Sequence, residues 1–187
     1  MRAALVILAA LLFASPAFAG TLGTDRYDAC IRKAAADWWP AGPDWLWWRA
    51  QLWQESRLDP TAESPVGARG LAQFMPGTWT DTTKALRWGL ISRDDACRSA
   101  EAGAFYMARL QKGWSTPRPQ LERHRLAQSS YNAGPGNVIK AQSLCGGARD
   151  WADIAPCLPL VTGKHAAETI GYVDAIAKWR AKMEVIR

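Results

Sequence analysis

Only two histidines occur among the 187 residues, His124 and His165, far apart in sequence, and there is no C-x-x-C pair. That leaves too few ligands at metal spacing for a zinc site, and none is expected. A long basic run is missing too. The 23 Lys and Arg are interleaved with 17 Asp and Glu, so the formal charge of +6 reads as a solvated surface, weakly attracted at most to an anionic envelope. Nucleic acid is not an expected partner. No internal repeat, low-complexity tract, linker or strand-rich region is found, which excludes solenoids, disordered tails and sheet-built folds.

The one sustained apolar run is confined to the start. Arg2 precedes the run Ala3 to Ala14, and Ala17-Phe18-Ala19 forms an A-x-A cleavage pattern before Gly20. The run is shorter than the about 20 residues that a membrane span needs. Residues 1–19 are therefore expected to be a cleaved signal peptide. No cysteine directly follows the cleavage pattern, where Gly20 stands, so neither lipidation there nor a stable membrane anchor is expected after cleavage. Residues 20–187 suffice for one domain around one core.

Four cysteines, Cys30, Cys97, Cys145 and Cys157, all fall after residue 20. An even count in an exported chain favours two disulfides. Three pairings are open. The short loop that Cys145–Cys157 would close favours that pair, leaving Cys30–Cys97.

Helical patterning dominates the rest. A helical stretch at 25–39 is broken by Pro40-Ala41-Gly42-Pro43. Asp44 to Ser56 then reads as a helix with Trp45, Leu46, Trp48, Leu52 and Trp53 on one broad face, stopped by Asp59-Pro60. Glu55 falls in its last turn. There the helix carbonyls disfavour an ionised carboxylate, and nearby indoles add desolvation; both favour the protonated acid that a general acid near neutral pH requires. Pro65, Gly67, Gly70, Pro76 and Gly77 mark residues 60–80 as a loop with a short helical insert near Leu71–Met75. That loop carries Ser64 and Gln73, uncharged groups suited to sugar hydroxyls and acetamido groups.

Asp94-Asp95 reads as the cap of a helix running to about Lys112, with Ala96, Ala100, Ala104, Met107 and Leu110 at core spacing. A further helix is expected over Leu121–Ser130, ending at Tyr131-Asn132-Ala133-Gly134. Pro135 can open a short helix, residues 145–157 read as an irregular loop, and Ala166–Met183 as a long helix. Of the eleven Trp, six lie between Trp38 and Trp53. Most are expected in the core, one or two as stacking surfaces.

Three stretches together carry a resemblance. Gln54-Glu55-Ser56 with the loop through Gln73-Phe74-Met75, then Tyr131-Asn132-Ala133-Gly134-Pro135-Gly136, then Glu168-Thr169-Ile170-Gly171-Tyr172-Val173 closely resemble the soluble lytic transglycosylase family, in the family's order. The resemblance implies a mainly α, lysozyme-like fold with little or no sheet around a glycan-binding groove. It implies a single catalytic acid/base at Glu55, with Ser64, Gln73, Met75, Tyr131, Asn132 and Tyr172 along the groove and Glu168 supporting them. Two departures are visible: Ala72 stands where Met is usual, and Ser99 where Asn is common. The first is expected to open the groove locally, the second to remake a supporting hydrogen bond.

The implied substrate is peptidoglycan glycan, cleaved without water to 1,6-anhydro ends by a monomer in the periplasm or extracellular cell-wall space, with no cofactor. Three alternatives stand beside it. A hydrolytic muramidase on the same scaffold would use Asp59 or Glu63 to activate water, whereas a non-catalytic glycan-binding module would have no need of a proton donor. The same activity could also serve a secretion apparatus or an exported phage endolysin. The absence of metal-ligand spacing predicts that EDTA leaves activity unchanged; loss in EDTA, restored by zinc, would contradict it.

Overall fold

The computed structural model describes Leu22 and residues 24–186. The expected signal peptide, 1–19, lies outside the described residues. The described chain is helical: α1 Asp28–Trp38, α2 Trp45–Ser56, α3 Pro76–Ala85, α4 Ala96–Gly113, α5 Gln120–Ala133, α6 Pro135–Leu144, α7 Trp151–Ile154, α8 Pro159–Thr162 and α9 Ala166–Val185, with 3-10 turns at Ala155–Cys157 and Gly163–His165. Among the described residues extended pairing amounts to two isolated antiparallel bridges, Glu63 with Arg69 and Arg69 with Phe74. By compactness the described residues form two units: those up to Tyr106 together with those from Ile176 onward, and Met107–Ala175. The boundaries fall inside α4 and inside α9.

The first unit is built around α2. The Asp44 carboxylate caps it, accepting from the Leu46 N–H at 2.9 Å. Nine of its twelve residues are buried, so α2 is enclosed on all sides rather than on the one broad face expected. Arg49 is enclosed as well, because it pairs with Asp28 at 2.6 Å and donates to the Leu22 and Thr24 carbonyls. Packing of α1 on α2 continues this shell, and the disulfide Cys30–Cys97 ties α1 to α4 with Cα atoms 5.5 Å apart.

Indole nitrogens do much of the joining. Trp39 and Trp48 donate to the Ala104 and Ala100 carbonyls of α4 at 2.9 and 3.1 Å, and Trp79 of α3 to the Ile91 carbonyl at 3.1 Å. Each ring buries a large apolar face while its polar edge meets a carbonyl. The Trp48 ring lies so close to α4 that a Cβ on Gly103 would stand 2.6 Å from two ring carbons.

In the second unit α5 packs on α6 and α7, and α6 on α8. The Trp114 indole donates to the Ser130 hydroxyl at 3.1 Å, and the Glu122 carboxylate accepts from the Trp151 N–H at 2.9 Å where α7 begins. Cys145 and Cys157 are bonded with Cα atoms 5.8 Å apart.

Three expectations need correction. No helix forms at Leu71–Met75; that stretch turns back on itself, and the helix begins at Pro76, whose missing N–H suits the first helical position. Helix α5 runs three residues beyond Ser130, so Tyr131 and Asn132 are helical. The segment 145–157 is not irregular throughout, since α7 and a 3-10 turn occupy its second half.

Replacing Gly103 with Ala is expected to destabilise the protein by about 1–3 kcal/mol, the usual cost of overpacking a core. Thermal melts check this. A variant melting with the wild type would mean that α4 and the Trp48 ring are not in close contact.

Candidate active site

Glu55 sits in the last turn of α2 and is 6% exposed. The helix stops directly after Ser56 because Arg57 and Leu58 both take left-handed backbone conformations, φ 57° and 61°. Such consecutive conformations are costly for residues with side chains. Arg57 helps to hold them: its guanidinium donates to the Trp53 carbonyl at 2.9 Å and lies over the Trp53 and Trp179 rings. Trp179 is fixed in turn by donating to the Gln54 side-chain oxygen at 2.9 Å. One turn before Glu55, Gln51 is fully buried with neither amide atom hydrogen-bonded.

The loop that follows is joined to α2 beside the acid. Ser56 donates its hydroxyl to the Leu71 carbonyl at 2.9 Å, and both residues are buried. From Ala62 to Phe74 the chain reverses twice as a tight double hairpin, with Arg69 bridged to Glu63 on one side and to Phe74 on the other. Ser64 N–H bonds the Ala68 carbonyl at 2.9 Å and Gly70 N–H the Ala62 carbonyl at 3.0 Å, while Arg69 and Phe74 exchange bonds at 3.1 and 3.0 Å. The Ser64 hydroxyl accepts from Ala68 N–H at 3.0 Å. Gln73, at φ 46°, donates its side-chain nitrogen to the Ala62 and Gly70 carbonyls, each at 2.9 Å. Both amide hydrogens are thereby used within the hairpin, leaving Oε1 as the side chain's remaining acceptor. Ser64 and Gln73 are 6% and 7% exposed, and Met75 is partly exposed just before α3.

The two departures from the family pattern both lie inside. Ala72 is fully buried, so it packs in the core rather than opening a groove. Its N–H donates to the Ser99 hydroxyl at 3.1 Å, so a supporting bond is made from position 99. Asp59 accepts from the N–H and hydroxyl of Thr61, both at 2.8 Å, and Glu63 is ion-paired with Arg69 at 3.1 Å.

Tyr131, Asn132, Glu168 and Tyr172 belong to the second unit. Thr169 donates its hydroxyl to Asn132 Oδ1 at 2.6 Å, joining the end of α5 to the start of α9. Burial pushes the Glu168 carboxyl up, while the Asn132 amide and His165 draw it partly back. Asn132 Nδ2 and Glu168 Oε1 nevertheless lack a hydrogen bond of normal geometry. Tyr131 and Tyr172 are each 6% exposed. Ser56 and Thr169, whose hydroxyls bond Leu71 and Asn132, were given no role in the sequence reading. Each carried a signal, standing beside a motif carboxylate. Among the described residues no group of three or more His, Cys, Asp or Glu is placed to hold a metal ion.

Helices without a sheet, a lone acid closing one of them and a hairpin of polar groups bonded to its end define a lysozyme-like helical fold. Solved structures share it. The soluble lytic transglycosylase SLT70 of Escherichia coli matches 87% of this chain and 24% of its own, with 26% identity and a TM-score of 0.69. An inactive mutant of Slt from Pseudomonas aeruginosa matches 85% and 24%, with 25% identity and a TM-score of 0.66. The chain belongs to the Transglycosylase SLT domain family, whose profile matches residues 48–154. Membrane-bound lytic murein transglycosylase F of Salmonella typhimurium is 34% identical over 155 residues, 75% of this chain and 29% of its own. The chain spans less than a third of the length of the curated relatives it matches.

Because its value is raised in the folded state, Glu168 contributes stability that is full below the unfolded carboxylate range and is lost as pH rises through the folded value. Glu168→Gln, neutral throughout, lacks that dependence. The melting temperature of wild type relative to Glu168→Gln is therefore expected to fall as pH rises above the ordinary carboxylate range. A constant difference over that rise would contradict the raised value.

Proposed function

We propose that this protein is a peptidoglycan lytic transglycosylase that cleaves the β-1,4 bond between N-acetylmuramic acid and N-acetylglucosamine without water, leaving 1,6-anhydro ends. One observation carries the reading: a family member with a single carboxyl, Glu55, enclosed where α2 meets the hairpin. Most glycosidases flank the bond with two carboxylates. The two that the loop offers for a second are engaged elsewhere, Asp59 with Thr61 and Glu63 with Arg69, which favours a one-acid scheme over a muramidase.

In that scheme Glu55 protonates the oxygen leaving C1 of N-acetylmuramic acid, and the sugar's own acetamido group stabilises the developing positive charge. The ionised Glu55 then takes the proton of the C6 hydroxyl, which closes on C1. An attacker already within the substrate has a large proximity advantage over bulk water. Ser64, Gln73, Met75, Tyr131, Asn132 and Tyr172 line the glycan path in this proposal, and Glu168 orients Asn132. Gln73 Oε1 accepts from a sugar hydroxyl or acetamido N–H. No cofactor takes part.

We take residues 20–187 as one transglycosylase domain; the family match at 48–154 runs through residues of both compact units. Export to the periplasm fits the two disulfides, which belong in an oxidising compartment, and the membrane-bound murein enzymes named among the relatives. Among the described residues no helix is long and apolar enough to cross a membrane.

Digestion of purified peptidoglycan by the mature protein, with mass spectrometry of the muropeptides, tests the reading. Anhydro ends, one water lighter than reducing ends, are expected, and reducing ends alone would replace it with a muramidase. Glu55→Gln is expected to fold, bind glycan and lose nearly all turnover. Wild-type rates in that variant would place the acid elsewhere.

A further inference from the structure

The segment 91–94 lies outside every motif, yet it grips the hairpin at several points. Arg93 Nη1 donates to the Gly67 carbonyl at 2.9 Å and to the Phe74 carbonyl at 2.8 Å. The Gly67 carbonyl belongs to the first of two turns, 64–68, and the Phe74 carbonyl closes the second, 69–74, which contains Gln73. The next residue, Asp94, holds Arg69 through two parallel bonds at 2.6 and 2.9 Å. The main chain is equally close: a Cβ on Gly70 would fall 2.0 Å from the Arg93 carbonyl oxygen. The grip is anchored outside the hairpin, since Trp79 of α3 donates to the Ile91 carbonyl.

The hairpin does not need Arg93 to close. Four backbone bonds, Ser64 to Ala68, Gly70 to Ala62 and the Arg69–Phe74 pair, already do so. What a charged donor shared between the two turns adds is a fixed orientation of one against the other, because bonds from an ionised donor are stronger and shorter than neutral ones. The orientation matters for one side chain above all. Gln73 has spent both amide hydrogens on Ala62 and Gly70, so the direction of its remaining acceptor follows the hairpin rigidly.

We propose that Arg93 is a positioning residue for glycan: by clasping the Gly67 and Phe74 carbonyls it aims Gln73 Oε1, making the hairpin a reader of donor groups, an acetamido N–H or a hydroxyl, on the sugar. The proposal rests on the transglycosylase reading of the same site. It makes Arg93 important for affinity rather than for proton transfer.

Affinity for peptide-free glycan strands is to be measured by calorimetry on a Glu55→Gln background, where no turnover occurs. KM and kcat are to be measured with Glu55 intact. Arg93→Ala is expected to weaken binding roughly 5–10-fold, with kcat falling much less, as displacement of a positioning group does. Arg93→Lys, which keeps a charged donor, should recover part of the loss.

The deciding comparison is with Gln73→Ala. If Arg93 acts through Gln73, adding Arg93→Ala to Gln73→Ala costs little further affinity, whereas independent effects would multiply. Unchanged affinity in Arg93→Ala, or multiplying losses, overturns the proposal. So does a kcat loss as large as that of Glu55→Gln. If Arg93→Ala fails to fold, Arg93→Lys and Arg93→Gln carry the same cycle. Should the wild type give only reducing ends, the transglycosylase reading falls, while the affinity cycle still decides the role of Arg93.

Discussion

The enclosure of α2, which holds the Glu55 carboxyl at 6% exposure in its last turn, is the constraint on which the first unit depends. α2 is enclosed on all sides, each fully buried large side chain contributing on the order of 1.5–3 kcal/mol. Its polar members are matched as well: Arg49 with Asp28, and the Trp48 indole with a carbonyl of α4. Gly103 completes this by letting the Trp48 ring approach α4 more closely than any side chain there would permit.

The hairpin after α2 works by a different economy. It is too short for a sheet, so its side chains supply the bonds that a neighbouring strand would give. Ser64, Gln73, Arg69 and Arg93 all bond hairpin backbone or its flanking charges. Their self-satisfaction defines what remains for a ligand. A glutamine can donate twice and accept twice, but here the donors are consumed, and an acceptor of fixed direction is left.

Unmet polar groups sit at the same places. Gln51, one turn from Glu55, and the Asn132–Glu168 region both retain buried polar atoms without hydrogen bonds. Three of the four non-glycine residues with left-handed backbone among the described residues, Arg57, Leu58 and Gln73, flank or occupy the hairpin. Buried polar groups and strained backbone lower stability, and proteins concentrate them at functional sites. The tryptophans are allotted otherwise: Trp39, Trp48, Trp79 and Trp114 are buried with their N–H groups bonded, so they serve as core.

Much was legible in the sequence because it is local. The helix from about Asp44 to Ser56, the helix from Ala96 and the long helix from Ala166 follow from spacing and Pro or Gly punctuation, whereas the left-handed Arg57 and Leu58 that end the first of them do not. The acid was legible because a carboxylate at a helix end, followed by a polar glycine-containing loop, is a pattern within some twenty residues. The disulfide pairing lay between local and global. Loop length favoured Cys145–Cys157, but only the packing of α1 and α4 brings Cys30 and Cys97 within bonding distance. What the sequence could not determine were contacts across long separations. The enclosure of α2 on every side, the burial of Ala72, the bond from Ser56 to Leu71 and the clasp of Arg93 on Gly67 and Phe74 each depend on where distant segments come to lie. Periodicity reports which residues avoid water, not which partner covers them; that is decided by close packing, where one missing Cβ at Gly103 is enough to set the distance.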